Sequence, residues 1–213
     1  MKALGIVEVY SFSTAVCVAD AAAKAGNVKI IAFDRNRPVS ADVPAPLVMA
    51  VKFEGETSDV KAAVEAGSAC AKSRGKFIVS HIISRVGDGA EKMAYLMDIN
   101  KDKFNKKLPK TFFGIQADEN YKRCAIALLE VQGLVASIEG LDTMLKTANV
   151  RLIHTEKRLG GRLVTIIVAG EVDAVSAAIE SGKKSASVLG EVFGTEVIAN
   201  PHGEVLKFFD TEN

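Results

Sequence analysis

The sequence predicts an α+β protein built from two tandem copies of one small domain, each a four-stranded antiparallel sheet with two helices on one face. Three observations predict it. The chain aligns with itself over most of its length; each aligned half runs strand, helix, strand, strand, helix, strand; and the apolar residues are small. Of 213 residues, 48% are hydrophobic but only 6% are aromatic, with no Trp. Such a composition suits thin layers packed through Ala, Val, Ile and Leu. The length admits one large domain or two of roughly 100 residues, and the repeat decides for two.

Setting Glu8 against Glu130, an offset of 122 residues, brings ALGIVEV at 3–9 onto AIALLEV at 125–131. At that offset Asp20 meets Asp142, Lys24 meets Lys146, Asn27 meets Asn149 and Val28 meets Val150, so DxxxKxxNV is written twice. Beyond Val28 the offset falls to 115: Gly55 meets Gly170, Val60 meets Val175, Glu65 meets Glu180, Gly67 meets Gly182 and Gly75 meets Gly190. Self-similarity at a nearly fixed offset is the mark of a duplicated unit. The first copy therefore holds seven extra residues, between its second and third strands, where Asp34 to Pro46 faces the shorter Glu156 to Gly161.

Each element follows from local pattern. Residues 3–9 are an apolar, β-branched run suited to a buried strand. Ser13 or Thr14 is the N-cap candidate for a helix whose Val16, Ala19 and Ala23 recur at helical spacing, and Gly26 with Asn27 stops it. Val28–Phe33 and Leu47–Phe53 read as the second and third strands, Ser58–Arg74 as a helix with Val60, Ala63, Val64 and Ala71 inward, and Phe77–Ser84 as the fourth strand. The second copy repeats the order from Cys124 to Ala199. This is the split βαβ, or ferredoxin-like, arrangement. The domains are expected at 1–88 and 123–213. Residues 89–122 form a linker, with a short helix near Glu91 to Met97 and the charged run KDKFNKKLPK; Phe112, Phe113 and Ile115 make it too apolar to be wholly disordered.

Composition also excludes function classes. A formal charge of +1 gives no basic excess for nucleic acid or an anionic membrane. MKALGIVEV enters the first strand without the basic and apolar regions of a signal peptide, and no run approaches a membrane span. Cys17, Cys70 and Cys124 are an odd number without CxxC spacing, so neither a disulfide framework nor a metal site is expected, and the cytoplasm is the expected compartment. His81, His154 and His202 lie in or beside strands with no nucleophile elbow, P-loop or HExxH motif, so no catalytic residue and no enzyme activity is expected.

At this point the residues resemble a known family, the bacterial microcompartment shell proteins, and within it the tandem-domain members with unpermuted strand order. In the second half the resemblance lies in LLEVQGLVASIEGLDTMLKTANVRLIHTEK, LVTIIVAGEVDAVSAAIESG and VIANPH. In the first half it lies in ALGIVEV, ADAAAKAGNVKIIAF and VKFEGETSDVKAAVEAG. The resemblance implies a homotrimer that mimics a hexamer, a flat tile with a pore on its threefold axis. Such tiles pack edge to edge with other shell proteins around encapsulated enzymes, and the location is the microcompartment shell. It implies no cofactor. Some tandem relatives hold an iron–sulfur cluster on the axis through a pore-loop Cys, and neither loop here contains one.

The same resemblance assigns site residues. Lys24, Asn27, Lys146 and Asn149 of the repeated motif fall at the tile edge; by itself such a lysine is a solvated side chain in a last turn, which the helix dipole favours. The second edge residue in relatives is an Arg two residues after the Ile of the last strand. The first copy has Arg85 there, whereas the second has Asn200, followed by Pro201 and His202, so the edges of the two halves are expected to differ. The turn between the second and third strands lines the pore in relatives. Here that is Arg35, Asn36, Arg37, Pro38, Val39 and Ser40 in the first copy and Lys157, Arg158, Leu159, Gly160 and Gly161 in the second. Arginines and lysine there imply a positive ring partly cancelled by Asp34, Asp42 and Glu156, hence an aperture favouring anions. The longer loop equally fits a plug or docking site on the surface. A different class stays open as well, because this fold also serves trimeric regulators that sense small molecules, and fold does not fix function.

Overall fold

A computed structural model describes residues 2–38, 42–87, 99, 124–156 and 159–209. The chain divides into two compact units, Met1–Leu108 and Pro109–Asn213. The first contains β1 (Ala3–Tyr10), α1 (Phe12–Ala25), β2 (Lys29–Asn36), β3 (Val48–Gly55), α2 (Thr57–Ser73) and β4 (Phe77–Ile83). The second contains β5 (Ala125–Gln132), α3 (Leu134–Thr147), β6 (Val150–Glu156), β7 (Leu163–Gly170), α4 (Val172–Ala186), β8 (Val192–Ile198) and α5 (Gly203–Phe209). The sheets run β2-β3-β1-β4 and β6-β7-β5-β8, antiparallel throughout. The expected fold class is what the structure has. The expected helix at Glu91 to Met97 and most of the linker lie outside the described residues.

Duplication extends to register. Val7 pairs with Val51 and its counterpart Leu129 with Ile166. The β1–β4 ladder slips between Glu8 and Val9, and β5–β8 slips between Glu130 and Val131. The β2–β3 ladder slips between Ile30 and Ala32, and β6–β7 between Leu152 and His154. Each irregularity bends and twists its strand locally, and the slips fall at equivalent positions in both sheets.

One side of each sheet meets its two helices. In the second unit Ala127, Leu129, Ile166 and Val168 pack with Ala136, Met144 and Ala178 in one buried cluster. Side chains alternate along a strand, so Leu128, Glu130, Thr165 and Ile167 point to the other side. The helices cross through glycine. A Cβ on Gly67 of α2 would sit 3.1 Å from Val18 Cγ1, and one on Gly182 of α4 would sit 2.4 Å from Met144 Cγ. Val18 and Ala22 of α1 stand where α3 carries Gly140 and Met144, so the bulk that fills the groove moves by one helical turn and close packing is kept.

The helix ends differ from the sequence reading. The N-cap of α1 is Ser11, whose hydroxyl accepts from Thr14 N–H at 3.4 Å. Ser11 has φ 80° and its counterpart Gly133 has φ 104°, because the chain reverses from strand to helix in a single residue. Glycine adopts that region freely and serine does not. The serine is held by its N–H to Leu47 O at 3.1 Å and its hydroxyl to Ser13 Oγ at 2.8 Å. At the other end Gly26 is extended, and its lack of a side chain serves close approach instead of a left-handed cap: a Cβ there would lie 2.3 Å from Asp59 O.

Candidate functional site

The residues assigned to the edge gather at the end of α1 and α3 and in the bends after β4 and β8. Lys24 Nζ lies 2.6 Å from Asp20 Oδ2, and Lys146 Nζ lies 2.5 Å from Asp142 Oδ2, each a pair one turn apart. Such pairs tie the lysine along its own helix. The hydrogen bond and charge of Asp142 hold the Lys146 ammonium above the usual lysine value. The pairs differ in setting: Asp20 is buried, whereas both Asp142 and Lys146 are exposed. Asn27 and Asn149 have a backbone role, since their carbonyl oxygens lie 3.1 and 3.0 Å from where Cβ atoms on Gly55 and Gly170 would be. With Val28 Cγ1 and Val150 Cγ1 each 3.1 Å from the same positions, the close approach accounts for valine and glycine recurring together in both copies, whereas a backbone oxygen makes no demand for asparagine. Arg85 and Asn200 occupy equivalent exposed bends. His202 is turned to a local task, its Nδ1 accepting from Glu204 N–H at 3.2 Å at the start of α5.

The assigned pore turns are two different constructions. In the first unit Arg35, Asn36 and Arg37 are exposed and Pro38 is half-buried. Arg37 N–H donates to Asn36 Oδ1 at 2.8 Å, and Ala45 and Leu47 anchor the return of the loop in the core. Val39 and Ser40 lie outside the described residues, as do Lys157 and Arg158. In the second unit the turn is short. Gly160, Gly161 and Arg162 are all left-handed, with φ 87°, 60° and 61°, a run that glycine makes possible. Leu163 N–H donates to Gly160 O at 3.0 Å, and Gln132 Nε2 donates to Gly161 O at 2.9 Å. Leu159 is buried, so its side chain anchors the turn and leaves the two glycines on the surface.

Two of the acids expected to cancel the loop charge are turned inward. Asp34 Oδ2 lies 2.5 Å from Lys52 Nζ with both side chains buried, and Glu156 is fully buried with its Oε2 3.8 Å from His154 Nε2. Only Asp42 of the three is exposed. The basic partner comes from opposite strands in the two units. Ala32 on β2 pairs with Lys52 on β3, and at the equivalent pair His154 on β6 faces Ile167 on β7. A small residue with a long base is exchanged for a base with a medium apolar residue, so the basic group moves to the other strand of the pair. The His154 ring lies 5.3 Å from that of Phe209 on α5.

Sequence reasoning missed α5, although Val205, Leu206 and Phe209 were the available signal: all three are buried, at helical spacing. It also missed how differently equivalent surfaces are covered. Phe12, Ser13 and Val16 of α1 are fully buried in the chain, whereas their counterparts on α3 are 66% (Leu134), 69% (Val135) and 59% (Ile138) exposed. The opposite holds for the sheet sides turned from the helices. Leu128 and Glu130 are fully buried, while Ile6 and Glu8 are half-buried beside Val79, 50% exposed, and exposed His81.

Among the described residues no group of His, Cys, Asp and Glu is arranged to hold a metal ion, and no helix is long and apolar enough to cross a membrane. The family model described as the BMC domain matches twice, at residues 3–86 and 125–201. The shell protein PduA of Citrobacter freundii is 47% identical over 83 residues, covering 39% of this chain and 88% of its own. The shell protein EutM of Escherichia coli is 41% identical over 85 residues, covering 40% of this chain and 87% of its own. The carboxysome assembly protein CcmO of Synechococcus elongatus is 29% identical over 204 residues, covering 96% of this chain and 67% of its own. A crystal structure of a microcompartment protein from Desulfitobacterium hafniense covers 97% of this chain and 99% of that one at 22% identity, with a TM-score of 0.38.

Proposed function

The chain belongs to the BMC-domain family, as a tandem-domain bacterial microcompartment shell protein, and from that premise we propose that three copies close into a ring of six domains that serves as one tile of the shell. The domains run 1–88 and 123–213, joined by 89–122. The tile meets other shell proteins through the rims carrying Lys24, Asn27 and Arg85 and, in the second domain, Lys146, Asn149, Asn200 and His202. The β2–β3 and β6–β7 turns surround a central aperture through which metabolites pass, and the enclosed enzymes supply the catalysis while this chain supplies wall.

The observation that carries this reading is the copied register, down to the slips at Glu8/Val9 and Glu130/Val131. Two domains with one backbone can occupy equivalent stations around an axis, and closed cyclic symmetry is the ordinary outcome for soluble oligomers. With Asp34 and Glu156 buried, Arg35 and Arg37 give the aperture a positive rim that favours anions. Light scattering tests the ring: the expected mass is three times the 22.6 kDa chain, with flat arrays under the electron microscope on concentration. A chain that stays monomeric at every concentration overturns the reading. For the aperture, the double change Arg35→Glu, Arg37→Glu is expected to reverse ion preference in planar-bilayer conductance, and unchanged preference removes the proposed role of those side chains. A small-molecule regulator would instead be a discrete soluble trimer that binds nucleotide tightly and forms no arrays.

A further inference from the structure

In each repeat the chain that follows the last strand returns to the same place, the strand that leads into the assigned aperture turn. In the first unit Ile99 is buried and its N–H donates to Phe33 O on β2 at 3.0 Å. In the second, Phe209 at the end of α5 meets His154 on β6, with ring centres 5.3 Å apart. The two stations are equivalent, since Phe33 pairs with Val51 and Thr155, next to His154, pairs with Ile166. The fastenings are unlike. Ile99 is tied through its backbone, whereas Phe209 touches a side chain, and that side chain places its Nε2 3.8 Å from Oε2 of Glu156, the last residue of β6. Both His154 and Glu156 are buried. The helix that brings Phe209 there is also of a kind that can let go. Seven residues are too few for a helix that is stable alone, so α5 depends on what holds it. Val205, Leu206 and Phe209 are its buried side chains. At its start His202 Nδ1 accepts from Glu204 N–H at 3.2 Å, and His202 O accepts from Val205 and Leu206 N–H at 3.0 and 3.1 Å. His202 itself is half-buried and follows the exposed Asn200 by two residues, so the start of α5 lies on the assigned rim.

We propose that α5 is a releasable clamp joining the rim of the second domain to its aperture turn. A neighbour's contact at Asn200 and His202 fixes the start of the helix; the docked helix holds His154, and with it Glu156, through Phe209; and the held end of β6 fixes the turn at 159–162. A two-state element biased from both ends couples two sites, and that coupling is reciprocal. Joining a neighbour therefore steadies the turn, and a ligand that steadies the turn favours joining. Released, α5 uncovers the His154 ring and lets the end of β6 open locally. The first repeat has Ala32 where β6 has His154 and is tied by the Ile99 backbone bond, so its turn does not follow α5. The rim and the aperture are those of the function proposed above, whereas the clamp itself rests on contacts within the second unit.

Hydrogen exchange read by mass spectrometry on the full chain tests the clamp. Phe209→Ala and His202→Ala are each expected to speed exchange at 203–209 and, with it, at 153–156 and 159–163, about tenfold. The equivalent first-repeat amides at 31–36 are expected to keep the wild-type rate, and Phe209→Leu, which keeps a large apolar side chain, to restore most of the protection. If Phe209→Ala fails to fold, His202→Ala carries the test, because it removes one acceptor at a half-buried position. Fast exchange in α5 beside an unaltered β6 and turn overturns the clamp, and so does a rise spread evenly over both repeats, which is plain loss of stability. An effect of Phe209→Ala without one of His202→Ala overturns the link to the rim. In assembled arrays, compared with dissolved protein, 203–209 and 159–163 are expected to gain protection together, and a gain in one without the other overturns the coupling. Wild-type protein that forms no arrays fails the shell reading, and the variants still decide the clamp.

Discussion

In the first repeat the helix after the opening strand is buried along the side that carries Phe12, Ser13 and Val16; in the second, the same side of the same helix leaves Leu134, Val135 and Ile138 in solvent. Beneath that difference the backbones agree in strand order, pairing and slips. The comparison teaches that duplication preserved the geometry that packs a domain, while side chains diverged in compensated groups. Lys52 with Ala32 became Ile167 with His154, and Val18 with Ala22 became Gly140 with Met144. The second exchange keeps the local volume, and both change which strand or turn supplies the group.

The largest expected effect tests the first exchange. Lys52→Met leaves the buried Asp34 carboxylate without its ammonium, and breaking one side of a buried pair costs about 3–5 kcal/mol. Denaturant unfolding should show that loss, and Asp34→Leu added to it should recover most of the stability. The second exchange is tested by Met144→Ala, which empties the α3–α4 groove at a cost of about 2–5 kcal/mol. A Cβ on Gly140 would lie 2.8 Å from Leu129 Cδ2, where the first repeat has Val7, so adding Gly140→Val together with Leu129→Val rebuilds the first repeat's version and should return part of the loss; no recovery would mean that the grooves are not equivalent. Next comes the strand-to-helix corner. Gly133→Ala forces a side chain into φ 104° and should cost about 1 kcal/mol or somewhat more. Ser11→Gly trades a cap for relief of the same backbone and should shift stability by only a few tenths of a kcal/mol. The smallest effect is in the alkaline limb. Folding holds Lys146 above 10.5, so its stabilisation is complete below that value and is lost as pH rises through the raised one. Lys146→Met should flatten the fall of melting temperature in that range only slightly, because the pair is exposed to solvent.

The repeat, the order of elements and the paired motif were legible because they depend on local pattern and on glycines at fixed places. Three things were not. The true N-cap was hidden because Ser11, Ser13 and Thr14 all suit the position by residue type, and only the backbone reversal selects Ser11. The pairing of Asp34 with Lys52 was hidden because it joins strands across a loop, and register is a tertiary property. The unequal cover of α1 and α3 was hidden because Phe12, Ser13 and Val16 differ little in pattern from Leu134, Val135 and Ile138; periodicity reveals an apolar side but not what lies against it. Of the assigned site residues, the turn glycines and the lysine pairs were readable from the motif, whereas the inward turn of Leu159 and the helix-capping task of His202 needed the fold.

Arg85 and Asn200 stand on matching bends of unlike domains. Around the proposed ring they would alternate, so a neighbour approaching the rim would find corners of two kinds in strict succession. Turning a tile by one station would then no longer map it onto itself, and a growing facet would have to choose between two orientations at every site. A wall assembled from such tiles acquires a compass: defects appear where domains of opposite choice meet, and a mixed facet can direct where a different kind of tile is admitted.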